Sequence, residues 1–387
     1  MALLIERNTE TSQRPTWAEI DLNHLAANFN QVKQRVGSVA RVLAIVKANA
    51  YGHGAVQCAR RLVKEGAEWF GVAIPEEGIE LRASGIGQPI LVLGGFWEGQ
   101  ASLCIQQRLT PVVYRLDMMA AMDQAARDAG TIVDVHVKID TGLGRLGVRL
   151  DQLSEFLNGV RNFPNVRIDG LMTHFAAADD MACQPLTTDQ IKRFHDGVAM
   201  FRDHGIQPAY IHLANSAAIY AHKESWGNMV RPGGVLYGLW RDVLPEGISG
   251  AELGQVMSIY TRISLLKRVP AGETLGYGCT FEASRESLIA TLPIGYHDGY
   301  MRGLSNRANV IVRGTYAPVV GRVSMDLTLI DVTNVPDVAL NDRVILIGTD
   351  RDNPRLSITV EDHARIAGTL SYEVVCGIGQ RVPHLYV

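Results

Sequence analysis

Short apolar, β-branched runs recur eight times in the first 245 residues, with amphipathic stretches between them. The runs cover 41–46, 69–74, 90–93, 111–114, 132–139, 167–173, 209–213 and 228–236. Between them lie segments such as Gln57-Cys58-Ala59-Arg60-Arg61-Leu62-Val63, whose spacing is helical. Strands alternating with helices build a parallel sheet. Eight is the number that closes a TIM barrel of about 250 residues. A doubly wound open sheet is the competing architecture. It normally carries a Gly-rich dinucleotide turn after its first strand, and none is present here. The fifth run adds a test, because Val133, Val135, Val137 and Ile139 alternate with Asp134, His136, Lys138 and Asp140. Strand faces alternate with period two, so the polar set should point into the barrel and the apolar set toward the helices.

Beyond residue 245 the texture changes. Strand-like runs at 258–269, 287–292, 309–313, 317–323, 327–332 and 343–347 are punctuated by Gly, Pro, Asn and Asp, and helical spacing returns only at 359–368. The expected fold class is therefore α/β. An N-terminal (β/α)8 TIM barrel over 1–245 is followed by a mostly β domain over 246–387, with a hinge at Leu244-Pro245-Glu246-Gly247.

Charge and composition narrow the function classes. A net charge of -3 gives no reason to propose nucleic acid or an anionic membrane surface. No apolar run reaches the roughly 18 residues of a membrane span. Met1–Arg14 lacks the pattern of a signal peptide. The five cysteines are scattered, without metal-ligand spacing. A cytoplasmic protein with reduced thiols and no metal site is the expectation.

TIM-barrel chemistry sits at the C-terminal ends of the strands. Those ends carry Lys47, then Arg145 in Asp140-Thr-Gly-Leu-Gly-Arg145, His174 in Thr173-His174-Phe175, Ser216 in Asn215-Ser216-Ala217, and Arg231 in Val230-Arg231-Pro232-Gly233-Gly234. Each has an ordinary alternative: solvated charge, core histidine, helix cap or structural ion pair. Five together at strand ends are hard to assign to chance. A lysine at the mouth of a buried strand can lose its proton and form a Schiff base. Ser216 and the Gly233-Gly234 pair follow strands seven and eight, the recurrent phosphate site of such barrels. A phosphate anchor with a Schiff-base lysine implies pyridoxal 5'-phosphate. No carboxylate lies among these residues, so Arg231 is expected at the pyridine nitrogen. That weakens the cofactor as an electron sink and suits reversible proton transfer.

Eight motifs extend this reading: Pro15-Thr-Trp-Ala-Glu-Ile-Asp-Leu, Val46-Lys-Ala-Asn-Ala-Tyr-Gly-His-Gly, Asp140-Thr-Gly-Leu-Gly-Arg-Leu-Gly, Arg231-Pro-Gly, Gly276-Tyr-Gly, Gly295-Tyr-His-Asp-Gly-Tyr, Gly321-Arg-Val-Ser-Met-Asp and Ser371-Tyr-Glu. They closely resemble the alanine racemase family, in its order and over nearly the whole chain. The resemblance implies interconversion of L- and D-alanine by two-base α-proton transfer on a pyridoxal-phosphate aldimine, supplying D-alanine for bacterial peptidoglycan. It implies a homodimer with shared active sites. Lys47 would be one base, and Tyr277 from the partner's β domain the other, with His174 and Arg231 beside it. Tyr51, Ser216, Gly233 and Tyr372 would hold the phosphate. Arg145 and the partner's Met325 would contact the substrate carboxylate, with Asp326 nearby. Tyr296 and Arg302 would line the way in.

Two positions depart from the family pattern: Gly234, usually a branched apolar residue, and Ser324, a cysteine in some members. Lys138 falls on the inward parity, seven residues before Arg145. Burial and like charge lower a lysine's pKa, and a neutral amine reacts with CO2 to give an anionic carbamate that could pair with Arg145. Several family members carry a carboxylated lysine at the matching position. The alternative is a plain lysine paired with Asp134 or Asp140. Rival functions are racemisation of serine or another small amino acid, decarboxylation in the same barrel class, and non-enzymatic pyridoxal-phosphate binding. Arg231 argues against the second, and the β domain against the third.

Overall fold

The computed structural model describes residues 14–249 and 252–387. Most of the segment read for a signal peptide, residues 1–13, lies outside the described residues. The described chain forms two compact units, 22–254 and 14–21 with 255–387.

The first unit is a parallel barrel. The first strand in the chain, β1 (Thr16–Ile20), is not part of it; the barrel begins with β2 (Arg41–Ile45). It continues through β3 (Trp69–Val72), β4 (Ile90–Val92), β5 (Thr110–Val113), β6 (Val133–Asp140), β8 (Val166–Met172), β9 (Tyr210–His212) and β10 (Met229–Val230). The short β7 (Val148–Arg149) pairs beside β6. The order β10-β2-β3-β4-β5-β6-β8-β9 is parallel throughout. The seam between β9 and β10 has no regular ladder and is closed by a side chain. Asn228 Oδ1 accepts from Ile211 N–H at 2.8 Å, Nδ2 donates to Ala209 C=O at 2.7 Å, and its own N–H reaches Ile211 C=O at 3.0 Å.

Helices cover the outside because their apolar residues recur at helical spacing. Leu22–Val36 buries Leu25, Phe29, Val32 and Val36 along one stripe. The parity expected for β6 is present. His136 and Lys138 are buried, and His136 meets Trp69, Tyr210 and His212 from other strands, so it lies inside the barrel. Gly170 on the neighbouring β8 leaves room for the His136 ring, since a Cβ there would lie 2.5 Å from its Nδ1. Outward Ile139 packs on the helix Gln184–Asp203 at Gly197, where a Cβ would lie 2.9 Å from it.

The second unit holds a ten-stranded sheet. Its strands are β1, β11 (Met257–Arg262), β12 (Leu265–Val269), β15 (Ser287–Leu292), β16 (Asn309–Val312), β17 (Thr315–Val320), β18 (Thr328–Asp331), β19 (Arg343–Thr349), β20 (Ser357–Ile358) and β21 (His384–Tyr386). A separate hairpin pairs β13 (Thr274–Leu275) with β14 (Phe281–Glu282).

Two expectations need correction. Residues 14–21 belong with the β-rich unit and not with the barrel. β1 pairs antiparallel with β11 and parallel with β21, and the division falls at 254/255 rather than 245/246. Alternation along Thr16–Ile20 is the pattern of any half-buried strand, so only its long-range partners decide its unit. The run 228–236 is not one strand. β10 covers two residues, and after Pro232 the chain enters a 3-10 turn, Gly234–Tyr237.

Candidate active site

The end of β2 sets the first functional side chain. Val46 N–H still pairs with Gly71 C=O at 2.9 Å, and the ladder stops there. The chain then enters the left-handed region for four non-glycine residues, Ala48, Asn49, Ala50 and Tyr51, with φ from 51° to 54°. Left-handed backbone costs roughly 1–2 kcal/mol per such residue. Gly52 and Gly54, at φ 81° and 92°, relieve the exit. The turn sets Lys47 at the strand mouth and buries Tyr51 against Tyr237, ring centroids 5.0 Å apart. The Lys47 ammonium lies 5.9 Å from the Tyr51 ring centroid.

Tyr51, Ser216 and Gly233 converge. A Cβ on Gly233 would lie 2.6 Å from the Tyr51 hydroxyl, so glycine there leaves room for that hydroxyl. Gly233 N–H donates to Ser216 Oγ at 2.9 Å, which leaves the Ser216 proton available to a ligand. Pro232 C=O accepts from Ile45 N–H at 3.1 Å, tying this loop to the strand that bears Lys47.

Arg231 is the buried centre of the site. One terminal nitrogen donates to His212 C=O at 2.8 Å and His212 Nδ1 at 3.1 Å. The other donates to Thr173 C=O at 2.7 Å, Leu213 C=O at 2.8 Å and His174 Nδ1 at 3.3 Å. Its Nε has no hydrogen-bond partner among the described residues. No carboxylate among the described residues pairs with it, and burial pushes its pKa down to about 9. These partners assign the imidazole protons. His174 and His212 accept at Nδ1, so each carries its proton on Nε2. His212 Nε2 donates to His136 Nδ1 at 2.9 Å. Burial, with Arg231 second, holds His136 down to about 3 and His174 and His212 well below the usual imidazole range. All three are neutral.

Lys138 completes a cationic group. It is 4% exposed, and burial followed by Arg145 and Arg231 pushes its pKa down to about 8. Neither expected carboxylate pairs with it. Asp134 binds Arg167 bidentately at 2.6 and 2.8 Å, and Asp140 Oδ1 accepts from the N–H groups of Gly142 and Gly144 at 3.0 Å. Arg145 is exposed and has no ion-pair partner among the described residues. The barrel thus gathers Lys47, Tyr51, Lys138, Arg145, His174, Ser216, Arg231 and Gly233.

The β-rich unit gathers a second set. Tyr296 N–H donates to Ser324 C=O at 3.0 Å, and His297 N–H to Met325 C=O at 3.1 Å. Gly276 packs on Gly321 and Arg322, where a Cβ would lie 3.1 Å from Arg322 N. Tyr277, Tyr296, Met325 and Asp326 therefore line one segment, 321–327. Tyr277 is 73% exposed and Met325 52%. Arg302 is exposed on the Arg302–Leu304 turn, and Tyr372 is half-buried on the helix Ser371–Cys376.

The alanine racemase N-terminal domain pattern matches residues 20–240, and its C-terminal domain pattern residues 256–386. This chain belongs to the alanine racemase family. It is 46% identical to an alanine racemase of Halothermothrix orenii over 96% of this chain and 97% of that one. The fold matches the alanine racemase of D-cycloserine-producing Streptomyces lavendulae with a TM-score of 0.89, at 34% identity and 98% coverage of both chains. It also matches the Bartonella henselae alanine racemase, a structure with covalently bound pyridoxal phosphate, with a TM-score of 0.86, at 27% identity and covering 96% of this chain and 99% of that one. Alanine racemases are isomerases, and the barrel plus β-rich architecture is the one they share.

Sequence reasoning missed several contributors to this candidate site. His212 follows the inward parity of β9 and was findable in Tyr210-Ile211-His212. The carbonyls of Thr173 and Leu213 carry no side-chain signature. The left-handed run after Lys47 had no signal, because three of its four residues, two alanines and a tyrosine, do not favour that conformation.

Proposed function

We propose that this protein interconverts L- and D-alanine with pyridoxal 5'-phosphate as cofactor, in a homodimer whose sites combine residues of both copies. The observation that carries the reading is the buried Arg231, with five acceptors on its terminal nitrogens and Nε left over. That unpartnered N–H beside a hydroxyl and glycine cradle fits a ring nitrogen at one end and a phosphate at the other. The cationic group suits the two anions, phosphate and substrate carboxylate. Tyr51, Ser216, Gly233 and Tyr372 would hold the phosphate, and Lys47 the aldehyde carbon. When bound, the cofactor acidifies the α-C–H of the attached amino acid.

The chain's own residues move the proton. Lys47 Nζ serves one face and the partner's Tyr277 hydroxyl the other. A phenol with pKa near 10 is a weak base at neutral pH. His174 supplies the help: its Nδ1 accepts from Arg231, so its Nε2–H donates, and its depressed pKa keeps it from taking the proton itself. Donors and cations around a phenolate favour its charged form. Arg145 and the partner's Met325 meet the substrate carboxylate, with Asp326 nearby and Tyr296 and Arg302 along the way in. The exposure of Tyr277, whose hydroxyl has no partner among the described residues, supports a role completed by a second chain.

Lys138, buried with no carboxylate partner among the described residues, fits a carbamate that pairs with Arg145 and holds it in place. The cellular role proposed is cytoplasmic supply of D-alanine for peptidoglycan. Purified protein with cofactor should racemise L-alanine faster than L-serine, followed by loss of optical rotation. Borohydride should fix the cofactor on the Lys47 peptide. A colourless protein after cofactor addition, or label on another lysine, overturns the reading.

A further inference from the structure

We infer that Glu77 is a positioning residue for Lys47, holding the strained turn that aims the lysine; this rests on Lys47 as the cofactor-bearing amine. A parallel ladder would carry the next rung from Ala73 N–H to Val46 C=O. That carbonyl is taken instead by Ala50 N–H at 2.9 Å, inside the left-handed turn. Two N–H groups are thereby released, those of Ala73 and Ala48. The Glu77 carboxylate accepts both, Oε1 from Ala48 N–H and Oε2 from Ala73 N–H, each at 2.6 Å. The Ala48 N–H belongs to the peptide bond that leaves Lys47. One carboxylate therefore grips the lysine's own peptide and the end of the adjacent strand.

Position explains why Glu77 can do this. It lies four residues past Ala73, in the first turn of the helix Pro75–Ala83, where a carboxylate is also favoured by the helix dipole. Short charge-assisted bonds to backbone N–H are among the stronger kind. Four left-handed non-glycine residues persist only where the surroundings over-determine them. Two further side chains restrain the turn, Asn49 Oδ1 accepting from Ala55 N–H at 2.8 Å and His53 Nδ1 meeting Ala50 C=O at 3.0 Å and Tyr51 C=O at 2.9 Å, and both act at its far end. Glu77 acts at the lysine end. Neighbouring Glu76 is exposed and accepts from Gln100 at 2.7 Å, so it serves as the control.

The test compares Glu77→Gln, Glu77→Asp and Glu76→Gln. Glutamine can accept from one N–H but sets its own NH2 against the other. Aspartate keeps the charge and reaches only one. In cofactor-free protein, Ala48 amide exchange should quicken about tenfold in both Glu77 variants, with exchange in β8 unchanged. In holoenzyme, cofactor release should quicken and kcat fall by about the same factor, with KM within about twofold. Glu76→Gln should match the parent protein. Ala48 exchange within twofold of the parent, or equal acceleration across all barrel strands, overturns the inference. The exchange readout needs no cofactor, so it stands apart from the borohydride result on which the Lys47 reading depends.

Discussion

Tyr277 and Lys138 show how little a side chain's chemistry means without its surroundings. Tyr277 is an exposed tyrosine by any local measure, yet the proposed reaction makes it the second base. Tyr277→Phe should keep the visible absorbance of bound cofactor and lose roughly 10²–10⁴-fold in racemisation; loss of colour with activity would instead mark it as a cofactor ligand. Lys138 has a sharper pH signature. Unfolded, it keeps its proton to about 10.5; folded, it releases it near 8. Below pH 8 the folded protein carries the full cost of the buried charge, and that cost disappears between pH 8 and 10.5. In CO2-free buffer Lys138→Met should therefore stabilise the protein at pH 7 by roughly 3 kcal/mol, with the gain gone near pH 10.5 in denaturant titrations. Lys138→Ala should lower activity, and acetate should partly restore it by filling the carbamate's place. A mutant indifferent to acetate removes the carbamate and leaves the racemase assignment standing.

Elements position these residues through the ends they present. The strands of the barrel are short, from two to eight residues, and most of the site comes from the loops at their C-terminal ends. The β9–β10 seam is the weak place, because Asn228 stands in for a ladder. Asn228→Ala leaves the Ile211 N–H and Ala209 C=O unpaired, at a cost of about 1 kcal/mol. Equilibrium unfolding should show it, and the loss should exceed that of Asn162→Ala, whose side chain has no hydrogen bond among the described residues. Arg231 comes directly after β10 and binds His212 at the end of β9, so the seam and the site share one set of elements.

At the scale of the whole molecule, the proposed site needs two chains. A mixed dimer of Lys47→Ala and Tyr277→Phe subunits contains one site with both bases intact. It should regain activity that neither homodimer has, and a verified heterodimer without recovery counts against a shared site. The sequence by itself determined the barrel, through eight apolar runs with helical spacing between them. It also determined the strand-end positions of Lys47, Arg145, His174, Ser216 and Arg231, because period-two alternation and strand boundaries are local properties of the chain. Tertiary structure alone decided that β1 belongs with β11 and β21, since a strand's partners are set by distant residues. It also decided that Asp134 serves Arg167 rather than Lys138, and that Glu77 meets the Lys47 peptide. Those choices depend on which backbone groups the fold leaves unpaired, and no spacing along the chain records that.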